Sequence, residues 1–486
     1  MNLISQINGF LSSQKGMPKT QLWKALTSDT GSGGALIREK LEQIITNAVP
    51  RLSVIMGLIS PQFDSQKIHS FNRLTALPAV GGAMGEMSIA PTTQPTFARA
   101  TTALKVMRKK GATSKFLADA SKNYIDAIAQ NVEASVLAFM YELETHLFYG
   151  NADASAYSFS GYDHFILTNR TNLATASAVP TSLSFMDSLI DSNLDYNGGP
   201  DEKMIVCSPQ MLSKISQLLT NVRLNQGLNG SLTQIEVNGG WRLNAYRDIP
   251  IVPSALCRPR TTMGTVTLTV QDDTATGHIV DSQTRYYQVA AVTPYGGEQM
   301  ASAEVNIDSG TGGAADVHTV TLSWAANTNA LYYKIYVGTV TGTVYLRHII
   351  SGFAYNSVGS ISASTSEAVH TKIVTSDTNG NVTSVTFNYD PNVAGVEVPT
   401  AMQLDKPLVA VGGIPMESMF FIDRDVYQGL GKFAYTNDDG ARFNGLLTIE
   451  DLAQTEDFQP FHVKTYGALI DSFEATSSVV RGLRIA

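Results

Sequence analysis

The side chains that could do chemistry are sparse and poorly grouped. Eight histidines, His69, His146, His164, His278, His318, His348, His370 and His462, are scattered along 486 residues, so only tertiary contact could make a site of any pair. Cys207 and Cys257 form no CxxC motif and no cysteine/histidine cluster, which points to neither zinc nor a disulfide framework, and they read as buried free thiols. No GxxxxGK[ST], GxSxG or HExxH occurs, so the minimum residue sets for a phosphate cradle, a hydrolase elbow or a zinc protease are missing. The glycine runs GSGGA and GGAMG do not open a helix after a buried strand and read as hinges and loop tips. Asp272/Asp273 and Asp438/Asp439 sit in turn-like sequence without calcium-loop spacing. These residues predict no catalytic, cofactor-binding or metal site, and a protein that is not an enzyme. The densest chemical cluster is basic: Lys105, Arg108, Lys109, Lys110 and Lys115.

Charge gives that cluster a context. The formal net charge is −8, yet residues 1–115 carry 14 Lys+Arg against 5 Asp+Glu, whereas 116–261 carry 9 against 14, 262–402 carry 4 against 11, and 403–486 carry 7 against 12. A basic first quarter and an acidic remainder permit an electrostatic register between copies, the basic stretch of one meeting the acidic body of the next. A solvated positive face is the plainer alternative. Contact with nucleic acid through Lys15, Lys19 and Lys24 lacks interleaved aromatic residues. Only 16% of residues are charged against 43% hydrophobic, which predicts a folded chain with much surface closed against neighbours. Residues 1–16 lack the pattern of a secretory signal, and no run of about 18 apolar residues occurs, so export and membrane spanning are not expected.

The elements that must carry these residues differ along the chain. After the GSGG hinge, Leu36, Ile37, Leu41, Ile44 and Ile45 take helical spacing until Pro50. From 71 to 111 short extended pieces alternate with glycine and proline, predicting a two-stranded excursion with little core of its own. Ile125, Ile128, Val132, Val136, Phe139, Met140, Leu143 and Leu147 step by threes and fours, predicting a helix over 121–149 about 43 Å long, stopped by Gly150 and Asn151. Helices over 185–195 and 209–219 flank a buried strand at 204–207, and 241–253 reads as paired strands, giving a mixed α+β body. Beyond Arg260 the helical period disappears. Residues 265–270, 286–292, 320–324, 331–337 and 344–349 are β-branched and aromatic between turn residues, predicting a β-sandwich of about seven strands that closes near Met402. Mixed character then resumes, so one domain interrupts another.

In order, these segments resemble the Hong Kong 97-type fold of tailed-bacteriophage major capsid proteins and encapsulins. GGALIREKLEQIITNAVPRLSVI resembles the family's N-terminal arm. MGEMSIAPTTQPTFARATTALKVMRKKGATSKFLADAS resembles its extended loop, with acidic Glu86 near the tip and a turn at Pro95, Thr96 and Phe97. ELETHLFYGNA resembles the end of the spine helix, RDIPIVPSA a strand returning toward the axial domain, and FHVKTYGALIDSFEATSSVVRGL the last peripheral strand and helix. The insert separately resembles a fibronectin type III or bacterial immunoglobulin-like domain through YYQVAAVTPYGGEQMAS and VTLSWAANTNALYYKIYVGT, which places Trp324, Tyr287 and Tyr333 in its core.

The resemblance implies an N-terminal arm (1–58), an extended loop region (59–115), spine helix with peripheral and axial domains (116–261), an inserted immunoglobulin-like sandwich (262–402), and the remainder of the axial and peripheral domains (403–486). It implies a structural subunit that self-assembles as hexamers and pentamers into an icosahedral virion head in the host cytoplasm. Scaffold and portal proteins would be its partners, with double-stranded DNA enclosed by non-specific proximity and no membrane involved. Lys105, Arg108, Lys109, Lys110 and Glu86 are the expected assembly contacts. An encapsulin-like nanocompartment shell is the alternative, and a surface adhesin built on the β-module is the reading from a different class. The acidic insert is expected to face away from packaged DNA.

Overall fold

In a computed structural model, residues 51–120 and 127–486 form one compact unit, distinct from that of 1–50 with 121–126. The structure describes residues 55–79, 89, 92–121, 126–173, 179–180, 183–194, 202–226, 233–237, 241–272, 279–280, 284–294, 296–308, 317–328, 330–353, 360–364, 371–436, 446–452 and 457–485. The arm sequence before Ile55, Lys15, Lys19, Lys24 and Glu86 lie outside the described residues.

The helical stepping of the spine sequence becomes the helix Ala127–Tyr149, shorter at its start than the periodicity implies; Lys115–Ser121 forms a separate helix. Its C-terminal half is almost wholly buried: Phe139, Leu143, Leu147 and Phe148 face the core, and Glu144 accepts the Ile55 amide at 2.8 Å. At the helix end the chain packs closely on itself at Gly150, where a Cβ would lie 2.3 Å from the Phe159 carbonyl oxygen. Asn151 then turns the chain, its side-chain oxygen accepting the Asp153 and Ala154 amides.

Two body sheets flank this helix. One joins Ser60–Phe63, Lys432–Thr436, the long strand Phe458–Ile470 and Thr448–Asp451, with Lys105–Ser114 on the other edge of the long strand. The second is seven-stranded, in the order Arg170–Asn172, Ser478–Leu483, Glu417–Asp423, Lys203–Cys207, Ile249–Pro253, Trp241–Tyr246, Thr233–Val237. Its central strands Lys203–Cys207, Glu417–Asp423 and Ser478–Leu483 are buried throughout, as strands covered on both faces must be. The helices Ser184–Leu194 and Pro209–Gln226 cover one face around Met186, Ile190, Met211 and Ile215. Arg247 and Asp248, both with positive φ, make the two-residue turn between Trp241–Tyr246 and Ile249–Pro253. The C-terminal segment differs from expectation: a 3-10 turn, Glu474–Thr476, joins Phe458–Ile470 to the strand Ser478–Leu483, and no helix forms. The run SSVVRGL carries the β-branched pair Val479 and Val480 and enters the seven-stranded sheet, where partners on both sides outweigh any local helical preference.

Between residues 262 and 402 the described residues build two stacked sheets. An outer sheet runs Val266–Asp272, Val317–Trp324, Val382–Phe387, Thr371–Ser376, Ser360–Ser364; an inner one runs Gly297–Glu298, Thr284–Thr293, Tyr332–Val340, Thr343–Ser351. Between them lie Tyr287, Val289, Leu322, Trp324, Tyr333, Ile335, Val385 and Phe387. The inner sheet is buried on its other face too. By strand alternation Ala290, Val292, Tyr332, Tyr336, Leu346 and Ile349 turn the opposite way and join one continuous core with Phe148, Tyr149 and Phe420 of the body. Sandwich and body therefore share a layer. Deleting 262–402 is expected to expose the body face now covered by Tyr332, Tyr336 and Val292, leaving an insoluble or molten product in place of a trimmed native body; retained near-ultraviolet circular dichroism and cooperative unfolding in the deletion would contradict this.

Candidate assembly surfaces and the buried charge cluster

Four members of the basic sequence cluster, Lys105, Arg108, Lys109 and Lys110, lie on the strand Lys105–Ser114, antiparallel to Phe458–Ile470, and Lys115 opens the helix that follows it. Strand alternation divides the four, because successive side chains leave opposite faces. Met107 and Thr113 are buried toward the spine helix, so Lys105 and Lys109 share their side. Lys105 donates to the Ala156 carbonyl at 2.7 Å, and Lys109 lies close enough to Glu142 of the spine helix to draw its carboxyl down against the larger upward effect of burial. Arg108 and Lys110 take the other face and are exposed, with Val106 beside them. Their cross-strand partners extend the same face: Lys110 opposes His462, Arg108 opposes Lys464, and Val106 opposes Tyr466. Lys464 is held by Glu450 at 2.5 Å and lies 5.3 Å from the centre of the Tyr466 ring. The phenyl ring of Phe461 covers Gly111, where a Cβ would approach it to 2.3 Å.

The excursion predicted over 71–111 contains the hairpin Ile68–Ala76 with Thr96–Ala103, in register from Ile68 opposite Ala103 to Leu74 opposite Phe97. Few of its side chains find a core in their own subunit. Arg73 is the chief tether, reaching the Asp471 carboxylate at 3.1 Å and lying 5.2 Å from the centre of the Phe71 ring. His69 pairs with Asp64 at 2.5 Å near the base. Ile68 at the base is 52% exposed, and beyond Arg73 the apolar residues stand in solvent: Leu74 is 52% exposed, Phe97 65% and Leu77 78%.

The arrangement that sequence reasoning missed is the joint between sandwich and body. Six ionised side chains meet there, all nearly or fully buried: Asp163, Arg170, Asp405 and Arg481 from the body segments, Glu298 and Lys334 from the sandwich. Lys334 Nζ lies 2.8 Å from both Asp163 Oδ2 and Glu298 Oε2, so it bridges the two parts. Arg481 binds Glu298 at 2.7 Å and sits 3.4 Å from Asp163. Arg170 grips Asp405 with two nitrogens, one at 2.7 Å, and reaches Asp163 at 2.8 Å. Tyr336 donates to Glu298 at 3.0 Å and Asn172 to Asp405 at 3.0 Å. Three cations neutralise three carboxylates. Burial alone would raise the Asp163 carboxyl, but the charges of Arg170, Lys334 and Arg481 hold it well below its usual range; Glu298, also raised by burial, is brought to about 2 by Arg481 and Lys334.

The sandwich is fastened at further points. Thr145 of the spine helix donates to the Pro294 carbonyl, and Gly297, at φ +64°, packs so closely that a Cβ would lie 3.0 Å from the Tyr149 ring. The Tyr149 hydroxyl donates to the Leu256 carbonyl at 2.9 Å. At the sandwich's exit Glu397 takes Lys372 and lies 3.4 Å from His348; burial lowers the His348 pKa despite that carboxylate. The available signal was one lysine, Lys334, inside the otherwise apolar and aromatic run YYKIYV, since a charge there must find a buried partner.

Trp324, Tyr287 and Tyr333 lie in the sandwich interior, with the Trp324 and Tyr333 rings 4.8 Å apart. Cys207 and Cys257 are buried free thiols, and burial pushes the Cys207 thiol up to about 12. Among the described residues no group of three His, Cys, Asp or Glu is placed to hold a metal, and no helix is long and apolar enough to cross a membrane. One buried carboxyl stands apart: Glu417, pushed up to about 7 by burial, which the Ser208 hydroxyl donating to it and Arg258 at 3.5 Å only partly offset. Ser208 in turn accepts the Met211 amide at 3.0 Å, capping the helix Pro209–Gln226.

No family model and no curated protein matches the chain. Among solved structures, the capsid of a native GTA particle aligns over 94% of this chain and 99% of its own at 8% identity and a TM-score of 0.44. The capsid of the cyanophage P-SCSP1u aligns over 96% and 98% at 10% identity and 0.43, and the holo-SrpI encapsulin of Synechococcus elongatus PCC 7942 over 91% and 93% at 8% identity and 0.41.

Replacing Lys334 by Met would leave Asp163 and Glu298 buried with one cation fewer, and a loss of about 3–5 kcal/mol is expected in denaturant unfolding. A loss below about 1 kcal/mol would show that the joint does not depend on the bridge. Glu417 predicts a pH dependence of the opposite kind to a salt-bridged carboxylate. Between its ordinary 4.5 and about 7 the folded chain keeps a proton that the unfolded chain has lost, so stability falls as pH rises through that window. Glu417→Gln should flatten the profile by up to about 3 kcal/mol between pH 5 and 8, read from denaturation midpoints at each pH; an unchanged slope would refute the assignment.

Proposed function

We propose that this chain is the major capsid protein of a tailed bacteriophage, of the Hong Kong 97 type, with the sandwich as an immunoglobulin-like insert. The observation that carries this is the hairpin Ile68–Ala76 with Thr96–Ala103: a long ladder on and beside which Leu74 is 52% exposed, Phe97 65% and Leu77 78%. An isolated two-stranded ribbon is marginal in water, and a chain that maintains one gains by laying it across a neighbour. Contacts of that kind are individually weak and become stable when every subunit both gives and receives one, as in a closed shell. The basic face of Arg108 and Lys110 serves as the accompanying electrostatic register against the acidic regions of an adjacent copy. Lys105 and Lys109 leave the opposite face of the strand, where Lys105 also donates to the Ala156 carbonyl of its own subunit.

On this reading the chain acts by assembly and not by catalysis. It forms hexamers and pentamers around double-stranded DNA, with scaffold and portal proteins as partners, and resides in the virion head after assembly in the host cytoplasm. The acidic insert lies on the side away from DNA, since its charge would be repelled there. Electron microscopy of the purified full chain tests the reading: closed shells are expected, and their absence under all assembly conditions overturns it. Shells that enclose a protein cargo and no DNA in the native source would favour an encapsulin-like compartment. Phe97→Asp should leave a folded subunit, by its circular dichroism, and reduce shell yield at least tenfold, because the charge would have to be buried under the neighbour.

A further inference from the structure

The hairpin Ile68–Ala76 with Thr96–Ala103 has two unlike sides. Its register puts Ile68, Asn72 and Leu74 on one side with Phe97, Arg99 and Thr101, and His69, Phe71 and Arg73 on the other with Ala100 and Thr102. The second group is half-buried and holds the ties to Asp64 and Asp471, whereas every residue of the first is exposed. Arg99 is the cation of the exposed side, and among the described residues its guanidinium has no ion pair or hydrogen bond. A surface of matching chemistry lies at the far end of the next strand. Lys105–Ser114 begins just after the hairpin, and the helix Lys115–Ser121, none of whose side chains is buried, follows it. Phe116 is 79% exposed and Leu117 53%. The Lys115 amide donates to the Asp457 carbonyl at 3.1 Å and Ser114 pairs with Phe458, so the start of this helix sits beside Phe458, itself 45% exposed. The exposed carboxylates of Asp457 and Asp119 border these apolar residues, and among the described residues neither is in an ion pair; Lys115 is the cation next to them.

We propose that the exposed side of one copy's hairpin lies on this rim of the next copy, head to tail, with Leu74 and Phe97 on Phe116, Leu117 and Phe458 and with Arg99 against Asp457. The proposal rests on the shell reading above and names the receiving surface within it. Chemistry selects the occupant: apolar residues beside a cation meet apolar residues beside two carboxylates, so one contact covers both apolar groups and pairs the charges. Placement makes it a contact between copies. The strand Lys105–Ser114 spans about 30 Å, with the hairpin at one end and the rim at the other. Gly467 opposes Lys105, and Arg73 meets Asp471 further along in the same direction, so the hairpin leads away from its own rim. A surface that gives at one end and receives at the other forms a heterologous contact, and such a contact builds a ring when its rotation closes. One joint repeated around an axis then supplies the hexamers and pentamers of a shell.

The full chain carrying Leu74→Cys together with Phe116→Cys tests the contact, because the native Cys207 and Cys257 are buried. After mild oxidation of assembled shells, a non-reducing gel should show a ladder of covalent multimers from the double variant and monomer from either single one. Shells of the double variant that stay monomeric on the gel overturn the proposal and leave the rim to a different partner. Arg99→Glu should cut shell yield roughly tenfold while its circular dichroism stays that of wild type, and adding Asp457→Arg should restore most of the yield. An unimpaired Arg99→Glu, or a loss that Asp457→Arg does not repair, likewise overturns it. If wild type forms no shells, the shell reading fails by itself, and the paired cysteines still decide the contact in solution: multimers support it and monomer overturns it.

Discussion

The structure depends most on one buried electrostatic joint. Lys334, on an inner strand of the sandwich, shares its charge between Asp163 and Glu298, while Arg170 and Arg481 complete a neutral set with Asp405. Such a cluster adds little net stability over a well-packed apolar replacement, because desolvation consumes most of the Coulombic gain. Its effect is on geometry. Charge-assisted bonds have narrow angular and distance optima, and losing any member leaves an uncompensated ion in the interior. A sandwich joined in this way has one docked position on the body, which sliding of apolar surfaces alone would not define.

Apolar packing around the joint reinforces the same outcome. The inner sheet presents Tyr333, Ile335 and Val337 to its sister sheet and Tyr332, Lys334 and Tyr336 to the body, so a single strand is shared by two cores. The close approach at Gly297 and the bond from Thr145 to Pro294 bring the loop before it against the spine helix. An inserted domain is commonly pictured as an appendage on two linkers, able to be removed without harm. Here the sandwich supplies one wall of the body's interior through Tyr332, Tyr336 and Val292.

The rigid parts contrast with the hairpin. Its ladder runs from Ile68 to Ala76 with one irregularity after Leu74, yet its side chains are mostly solvated, and Arg73 with Asp471 is its main link to the rest. Stability in the sandwich and body comes from burial; in the hairpin it must come from elsewhere, which is why intermolecular cover is the central element of the proposed function. The basic strand next to it combines both regimes, with Lys105 and Lys109 bound to their own subunit and Arg108 and Lys110 displayed.

The sequence by itself determined the elements whose periodicity is locally strong: the spine helix, the strand at 203–207 with its flanking helices, the two-stranded excursion and the all-β stretch after Arg260. These follow from side-chain repeat and turn chemistry, both local properties. The core position of Trp324, Tyr287 and Tyr333 is implied by the resemblance to an immunoglobulin-like module and not by local periodicity. Tertiary structure alone decided which basic residues are displayed, because that depends on which face of Lys105–Ser114 the spine helix covers. It decided that SSVVRGL is a strand, through partners at 170–172 and 417–423, far away in the chain. It also decided the charge cluster, whose members lie at 163, 170, 298, 334, 405 and 481: Lys334 in its apolar run signals the need for a buried partner, but no sequence pattern names which residues supply it. Coulombic pairing acts between atoms a few ångströms apart, and only the folded chain sets those distances.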